Sequence, residues 1–270
     1  METLHHAVDL LVALAPIQHW RIDRYERHFA RAEQVNLFRG VYESFTEAEC
    51  SAPHTKPLGY DHPAPAAMYE ERTRLIFPSD YPMLFWLQCL LATGQCSSLF
   101  DLGGHIGVGY YAYQRYLHYP QHLRWLVCDV PAVVARGREW AGTHDKLGQL
   151  SFTESLEDAS GVDLFFASGS LQYLPQEFGE VLAGLAQPPQ HLLINLLPLH
   201  LRESYFTLQN IGTAFCPFRI SAEQRFVHQV TGLGYRLVDR WTNLEKACPI
   251  PFHPEHSLDR YHGFYFSRAS

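Results

Sequence analysis

The chain has 270 residues, 47% of them hydrophobic and 18% charged, enough to bury a real core in one large domain or a domain plus a smaller lobe. Its formal charge of −7 excludes a global basic field for nucleic acid or an anionic membrane, although 16 histidines would add positive charge below about pH 6.5. The six cysteines form no CxxC pair, which excludes a zinc-knuckle pattern and a disulfide framework.

Residues 1–16 lack a basic leader and carry Asp9 within their apolar part, unlike a secretory signal. The apolar run "MLFWLQCLLA" is far short of the ~20 residues that span a bilayer, so the expected setting is cytoplasmic. Apolar spacing predicts helices over 4–15 and 22–38, then an extended proline-rich loop from Cys50 to Ala67. A further helical region covers 68–93, broken at Pro78 and Pro82. These segments, residues 1–94, read as an N-terminal helical lobe without an obvious strand. The lobe is a candidate cover for an acceptor pocket or a homodimer contact.

From Ser97 the rhythm changes. Strand-length apolar runs occur at "SLFDL", "LRWLVCDV", "LSFTE", "VDLFFAS" and "HLLINLL", separated by helical patterns at 107–118, 131–141 and 175–186. That alternation predicts βαβ units and a parallel sheet covered on both faces. In "SAEQRFVHQVTGLG", Ser221 and Gln224 have capping-box spacing and Gly234 can stop the helix. "YRLVDRW" and "GFYFS" follow with no helix between them and are expected to pair antiparallel. Residues 95–270 thus read as an α/β domain, five parallel strands closed by an antiparallel pair.

In such sheets ligands bind beyond the carboxyl ends of the strands, where strand order reverses. Asp101, Gly103, Gly104, His105 and Gly107 lie at the first strand's end in the pattern D-x-G-G-x-x-G. No Lys-Ser/Thr follows, so this is no triphosphate loop. Asp101 would repel a pyrophosphate but could orient the turn or meet a cationic group, which suits an adenosine with an amino-acid tail. Asp129, followed by Val130, ends the second strand and could accept both ribose hydroxyls, with a helix N-cap before Pro131 as its competitor. Thr153 and Glu154 end the third strand, where an adenine edge would be read. Ser168, Gly169 and Ser170 would floor the site, with Gln172 and Tyr173 reaching toward an acceptor.

"FDLGGHIG" followed by "LRWLVCDVPAVVARG" resembles the first two motifs of class I S-adenosylmethionine-dependent methyltransferases, nearest the small-molecule O-methyltransferases. With "GVYESFTEAE…LGYD", "SGSLQYL" and "TLQNIG…PFRI", the chain also resembles uncharacterised bacterial methyltransferase-like proteins often associated with surface-polysaccharide gene regions. The resemblance covers about residues 40–242. It implies a Rossmann-like fold with a mostly parallel seven-stranded sheet, S-adenosylmethionine as cofactor and S-adenosylhomocysteine as product. It also implies methyl transfer to a small-molecule or sugar-like acceptor at oxygen. The alternatives are a non-catalytic binding or scaffold protein on this fold, or another reaction using the same cofactor. Two departures stand out. His105 occupies a usual glycine position, and "SGSLQYL" replaces the His-Asp-Trp segment that carries the catalytic base.

A hydroxyl acceptor needs a base within about 2.6–3.2 Å. The candidates are His200, His262, Asp61 and Tyr173. "HPEH" places His253 and His256 at metal-pair spacing, but sequence offers no third ligand nearby, and no metal is expected.

Overall fold

The computed structural model describes residues 15–33, 36–62 and 69–268. The helical pattern over 4–15 lies outside these residues except for Ala15. Helix α1 (Ala15–Arg31) is followed by strand β1 (Leu37–Tyr42) and the short helix α2 (Phe45–Cys50). Two 3-10 turns, Glu71–Arg74 and Pro78–Asp80, lead into α3 (Tyr81–Ala92), with Pro82 tolerated in its first turn.

The main sheet then builds in βα alternation. β2 (Ser98–Leu102), α4 (Val108–Tyr113), β3 (Arg124–Cys128), α5 (Pro131–His144), β4 (Leu150–Thr153), β5 (Leu164–Ser168), α6 (Phe178–Gly184) and β6 (His191–Leu197) follow in order. After a short β7 (Leu199–His200) come the hairpin β8 (Tyr205–Asn210) and β9 (Phe215–Ala222), α7 (Glu223–Gly232), β10 (Tyr235–Asn243) and β11 (Tyr261–Arg268).

The seven-stranded sheet has the order β10-β11-β6-β5-β2-β3-β4. Pairing is parallel from β4 through β6, and β11 runs antiparallel to both β6 and β10. This is the expected α/β architecture, a mostly parallel Rossmann-like sheet closed by antiparallel pairing. The period of two along each strand explains both faces. Leu99, Trp125, Leu164, Phe166, Leu193 and Tyr265 pack with α3 and α4 on one side. Phe100, Phe165, Ala167, Leu192, Ile194, Phe264 and Phe266 pack with α6 and α7 on the other.

The N-terminal segment departs from the expected lobe of helices and loops. β1 pairs antiparallel with β8, and β1-β8-β9-β7 make a second, four-stranded sheet. Phe29 of α1 stacks on Phe215 of β9, ring centroids 5.3 Å apart. Lys56 donates its ammonium protons to the carbonyls of Gly212, at 2.7 Å, and Ala32, tying the end of α1 to the hairpin. The helical pattern over 22–38 therefore stops at Arg31, because Leu37 onward gains a ladder with β8.

The capping box at Ser221 does not form. Ser221 belongs to β9 and registers with Leu199, leaving Ala222 at the helix N-cap without a side-chain bond. Gly234 does take the left-handed conformation that ends α7, at φ +87°. All six cysteines are free thiols, and no described helix is long and apolar enough to cross a membrane.

Candidate functional site

Strand order reverses around β2, with β3 and β4 on one side and β5 and β6 on the other, so the carboxyl end of β2 is the place where such a sheet takes a ligand. The turn after β2 is held from three directions. Gly103 takes φ +69° and donates its N–H to the carbonyl of Cys128 at 2.8 Å. A Cβ on Gly103 would fall 2.5 Å from that of Ser170, whose hydroxyl donates to the Leu102 carbonyl at 2.6 Å. A Cβ on Gly104 would fall 2.3 Å from Oδ2 of Asp101, so the turn folds directly over that carboxylate. Gly107, at φ +89°, opens α4.

Asp101 is buried in the apolar layer, where its Oδ2 accepts from the Trp125 indole at 3.0 Å. Burial pushes its carboxyl up to about 7, with the Asp129 charge adding and the Trp125 bond opposing. Of its two expected roles, orienting the turn is the one its contacts serve. Asp129 follows β3. Its Oδ2 accepts the His105 N–H at 3.1 Å and its Oδ1 the Val130 N–H at 2.8 Å. Burial pushes Asp129 up to about 6, against those two bonds. Among the described residues neither carboxylate has an ion-pair partner.

His105 stands in the left-handed region at φ +56°, where a side chain costs roughly 1 kcal/mol. Its ring is buried edge-on against Tyr69, centroids 4.7 Å apart. Asp61 and Glu70, with Tyr69, bring contacts of the N-terminal segment to the turn and α5. Asp61 accepts the Ala132 N–H at 2.9 Å and Glu70 pairs with Arg136. Asp61 thus occupies the α5 cap, the role that competed for Asp129.

The other predicted residues gather at the same sheet edge with unequal prospects. Thr153 accepts the Asp129 N–H on its carbonyl at 3.2 Å, but its hydroxyl donates to Asp158, and Glu154 is exposed. Ser168 registers with Asn195, and Gly169, at φ +75°, donates to the Asn195 carbonyl at 2.9 Å. Asn195 is a hub that the sequence reading missed, although it is the one polar residue among the apolar side chains that follow His191 in β6. It donates to the Ser79 carbonyl and to Ser168, and accepts from Trp241 and Asn243.

The four base candidates separate. Asp61 caps α5, as described. His200 donates Nε2–H to the Glu255 carbonyl at 3.1 Å while Nδ1 accepts the N–H groups of Arg202 and Glu203 at 3.4 and 3.2 Å. His262 on β11 is held below its ordinary pKa by burial and then by the Arg240 charge, with Arg240 Nη2 3.3 Å from Nδ1. Tyr173 follows β5, and burial holds its phenol well above the usual range, so it stays protonated. It donates to Gln209 of β8 at 2.9 Å and accepts from Tyr60 at 3.3 Å. Tyr60 and Gln209, both missed from sequence, bring the N-terminal segment and the small sheet to the β5 tip.

No family model matches the chain, and no curated protein matches its sequence. Solved structures similar to it include an O-methyltransferase family protein from Burkholderia thailandensis, 18% identical over 94% of this chain and 70% of that one, with a TM-score of 0.48. Another is the 1,6-didemethyltoxoflavin-N1-methyltransferase of the same organism, crystallised with 1,6-didemethyltoxoflavin and S-adenosylhomocysteine. It is 16% identical over 72% of this chain and 79% of that one, TM-score 0.45. A third is an S-adenosylmethionine dependent methyltransferase from Mesorhizobium loti, 14% identical over 70% and 98%, TM-score 0.45. The strand order, rather than these likenesses, carries the assignment of a mostly parallel α/β sheet whose order reverses at β2.

Proposed function

We propose that the carboxyl end of β2 binds S-adenosylmethionine and that the chain transfers its methyl group to an oxygen of a small, sugar-like acceptor. The observation that carries this reading is a glycine turn folded between the buried Asp101 and the half-buried Asp129, neither with an ion-pair partner among the described residues, at the point where strand order reverses. The residues fit the ligand. Each Asp129 oxygen already has one backbone donor and keeps lone-pair capacity for a ribose hydroxyl. Thr153 and Glu154 would then read the adenine edge and Ser168 to Ser170 would floor the site. When bound, S-adenosylmethionine supplies an electrophilic methyl on a sulfonium.

The chain's own residues then align an acceptor and exclude water from it. The phenols of Tyr60 and Tyr173, their protons held in a chain that ends on Gln209, can present oxygen lone pairs that orient an acceptor hydroxyl beside the β5 tip. In this reading residues 1–94 cover the acceptor pocket, with Asp61, Tyr69 and Glu70 as contacts to the turn and α5.

A second reading, a binding protein without turnover, is favoured by one observation. Asp61 caps a helix, His200 is engaged on both nitrogens, and Tyr173 is protonated. Calorimetry with S-adenosylmethionine and S-adenosylhomocysteine tests the first step. Binding is expected in the wild type and a loss of at least tenfold in Asp129→Ala, since two hydroxyl acceptors disappear. No heat from a folded wild type ends both readings. Binding without turnover on sugars and other hydroxyl compounds favours the second.

A further inference from the structure

Far along the chain from the glycine turn, the loop between β10 and β11 presents His253, Glu255 and His256 with one ligand atom from each, all within 4.8 Å of one another. Sequence alone offers this HPEH stretch only as a pair. The fold brings Glu203, from the connection after β7, to within 3.3 Å of His256 Nε2, while Glu255 Oε1 lies 3.1 Å from His256 Nδ1. We propose that His253, Glu255 and Nδ1 of His256 bind one divalent transition cation of the zinc type, with Glu203 holding the opposite nitrogen of His256 from outside.

The geometry suits that ion. Tetrahedral zinc with bonds of about 2.0–2.1 Å places neighbouring ligand atoms about 3.3 Å apart. The separation of Glu255 Oε1 from His256 Nδ1 already has nearly that length, so a cation needs chiefly the His253 ring to close in, while Glu203 stands on the opposite nitrogen, Nε2, as an outer partner. Two imidazoles with carboxylates select zinc, cobalt or nickel, whereas magnesium and calcium prefer all-oxygen sets.

The loop is also built to hold the set in place. Cys248 and Leu258 exchange backbone hydrogen bonds of 2.8 and 2.9 Å across its base. Ser257 Oγ accepts the Ile250 N–H at 2.8 Å and donates to the His253 carbonyl at 3.0 Å. Pro254 fixes φ in the 3-10 turn that spaces His253 from His256. His200, engaged on both nitrogens, is a positioning residue here. It holds the Glu255 carbonyl on one side and the Glu203 N–H on the other. Such outer contacts commonly change metal affinity by about 10–100-fold. A bound cation would clamp the β7–β8 connection to the β10–β11 loop.

The test uses the full chain stripped with a chelator, titrated with Zn²⁺ by calorimetry and with Co²⁺ by visible absorption. One Co²⁺ per chain with intense tetrahedral bands, displaced by Zn²⁺, is expected, and the melting temperature should rise with Zn²⁺. His253→Ala and His256→Ala should each weaken binding by about 100-fold, and Glu203→Gln by about tenfold. If His256→Ala melts early, His253→Asn decides alone, since a carboxamide cannot replace the imidazole. Absence of binding in the wild type overturns the proposal. So does Zn²⁺ binding that the His253 variants leave intact, because the remaining histidines would then be the ligands. Cofactor calorimetry on the stripped chain reads the methyl-transfer proposal separately.

Discussion

Asp101 shows how one side chain can be essential to a turn and still burden the fold. It accepts from Trp125 and sits under Gly104, yet burial holds its carboxyl at about 7. A carboxyl raised above its unfolded value stabilises the fold fully only below the unfolded pKa, near 4, and that stabilisation is lost as pH rises through about 7. Asp101→Asn keeps the acceptor for the indole and removes the ionisation. It should raise the urea midpoint of the ligand-free chain at pH 8, by up to about 4 kcal/mol in stability, and leave it nearly unchanged at pH 5. An equal or lower midpoint at pH 8 would show that the carboxylate's bonds outweigh its burial. Asp129, at about 6, behaves alike but lies where a ligand can reach it. S-adenosylhomocysteine affinity should therefore fall about tenfold per pH unit below pH 6, because the protonated carboxyl accepts fewer bonds. Calorimetry from pH 5 to 8 reads it, and a flat profile would separate Asp129 from the ligand.

Among the elements, the edge strands depend on one close approach. Gly263 of β11 pairs with Trp241 of β10, whose indole lies where a Cβ on Gly263 would stand, 2.1 Å away. The same indole donates to Asn195 at 2.9 Å. Gly263→Ala should push the ring out, break that bond and destabilise the protein by about 1–3 kcal/mol, read by chemical denaturation. An unchanged midpoint would mean the edge is looser than this packing implies. Helix α5 gives a smaller test. Asp61 caps it from 71 residues away in sequence, so Asp61→Ala should cost about 1 kcal/mol, read by chemical denaturation. The same preference for long-range over local bonding explains the missing capping box, since Ser221 gains a strand ladder beside Leu199 and forgoes its cap.

For the molecule as a whole, the two sheets divide the labour. The large one is covered on both faces and carries the glycine turn at the end of β2. The small one joins β1 to the β8–β9 hairpin, so residues near 40 and near 210 fold as one unit. Phe29, buried between α1 and that hairpin, holds this union together. Phe29→Ala should destabilise it by about 3–5 kcal/mol, with the loss visible first in the N-terminal segment by hydrogen exchange.

Local chemistry made the large sheet readable. Each parallel strand is a short apolar run between helical patterns, and right-handed crossovers leave few ways to order such units. The glycine turn and the acids at two strand tips were readable for the same reason, since strand ends are where such sheets bind ligands. The small sheet was not readable, because β1 finds its partner about 170 residues away and its own pattern is that of a helix tail. The Tyr60–Tyr173–Gln209 contact, the Asn195 hub and the approach of Glu203 to His256 were hidden likewise. Each joins polar side chains from elements far apart in the chain, and a sequence carries their residue types but not the distances between them.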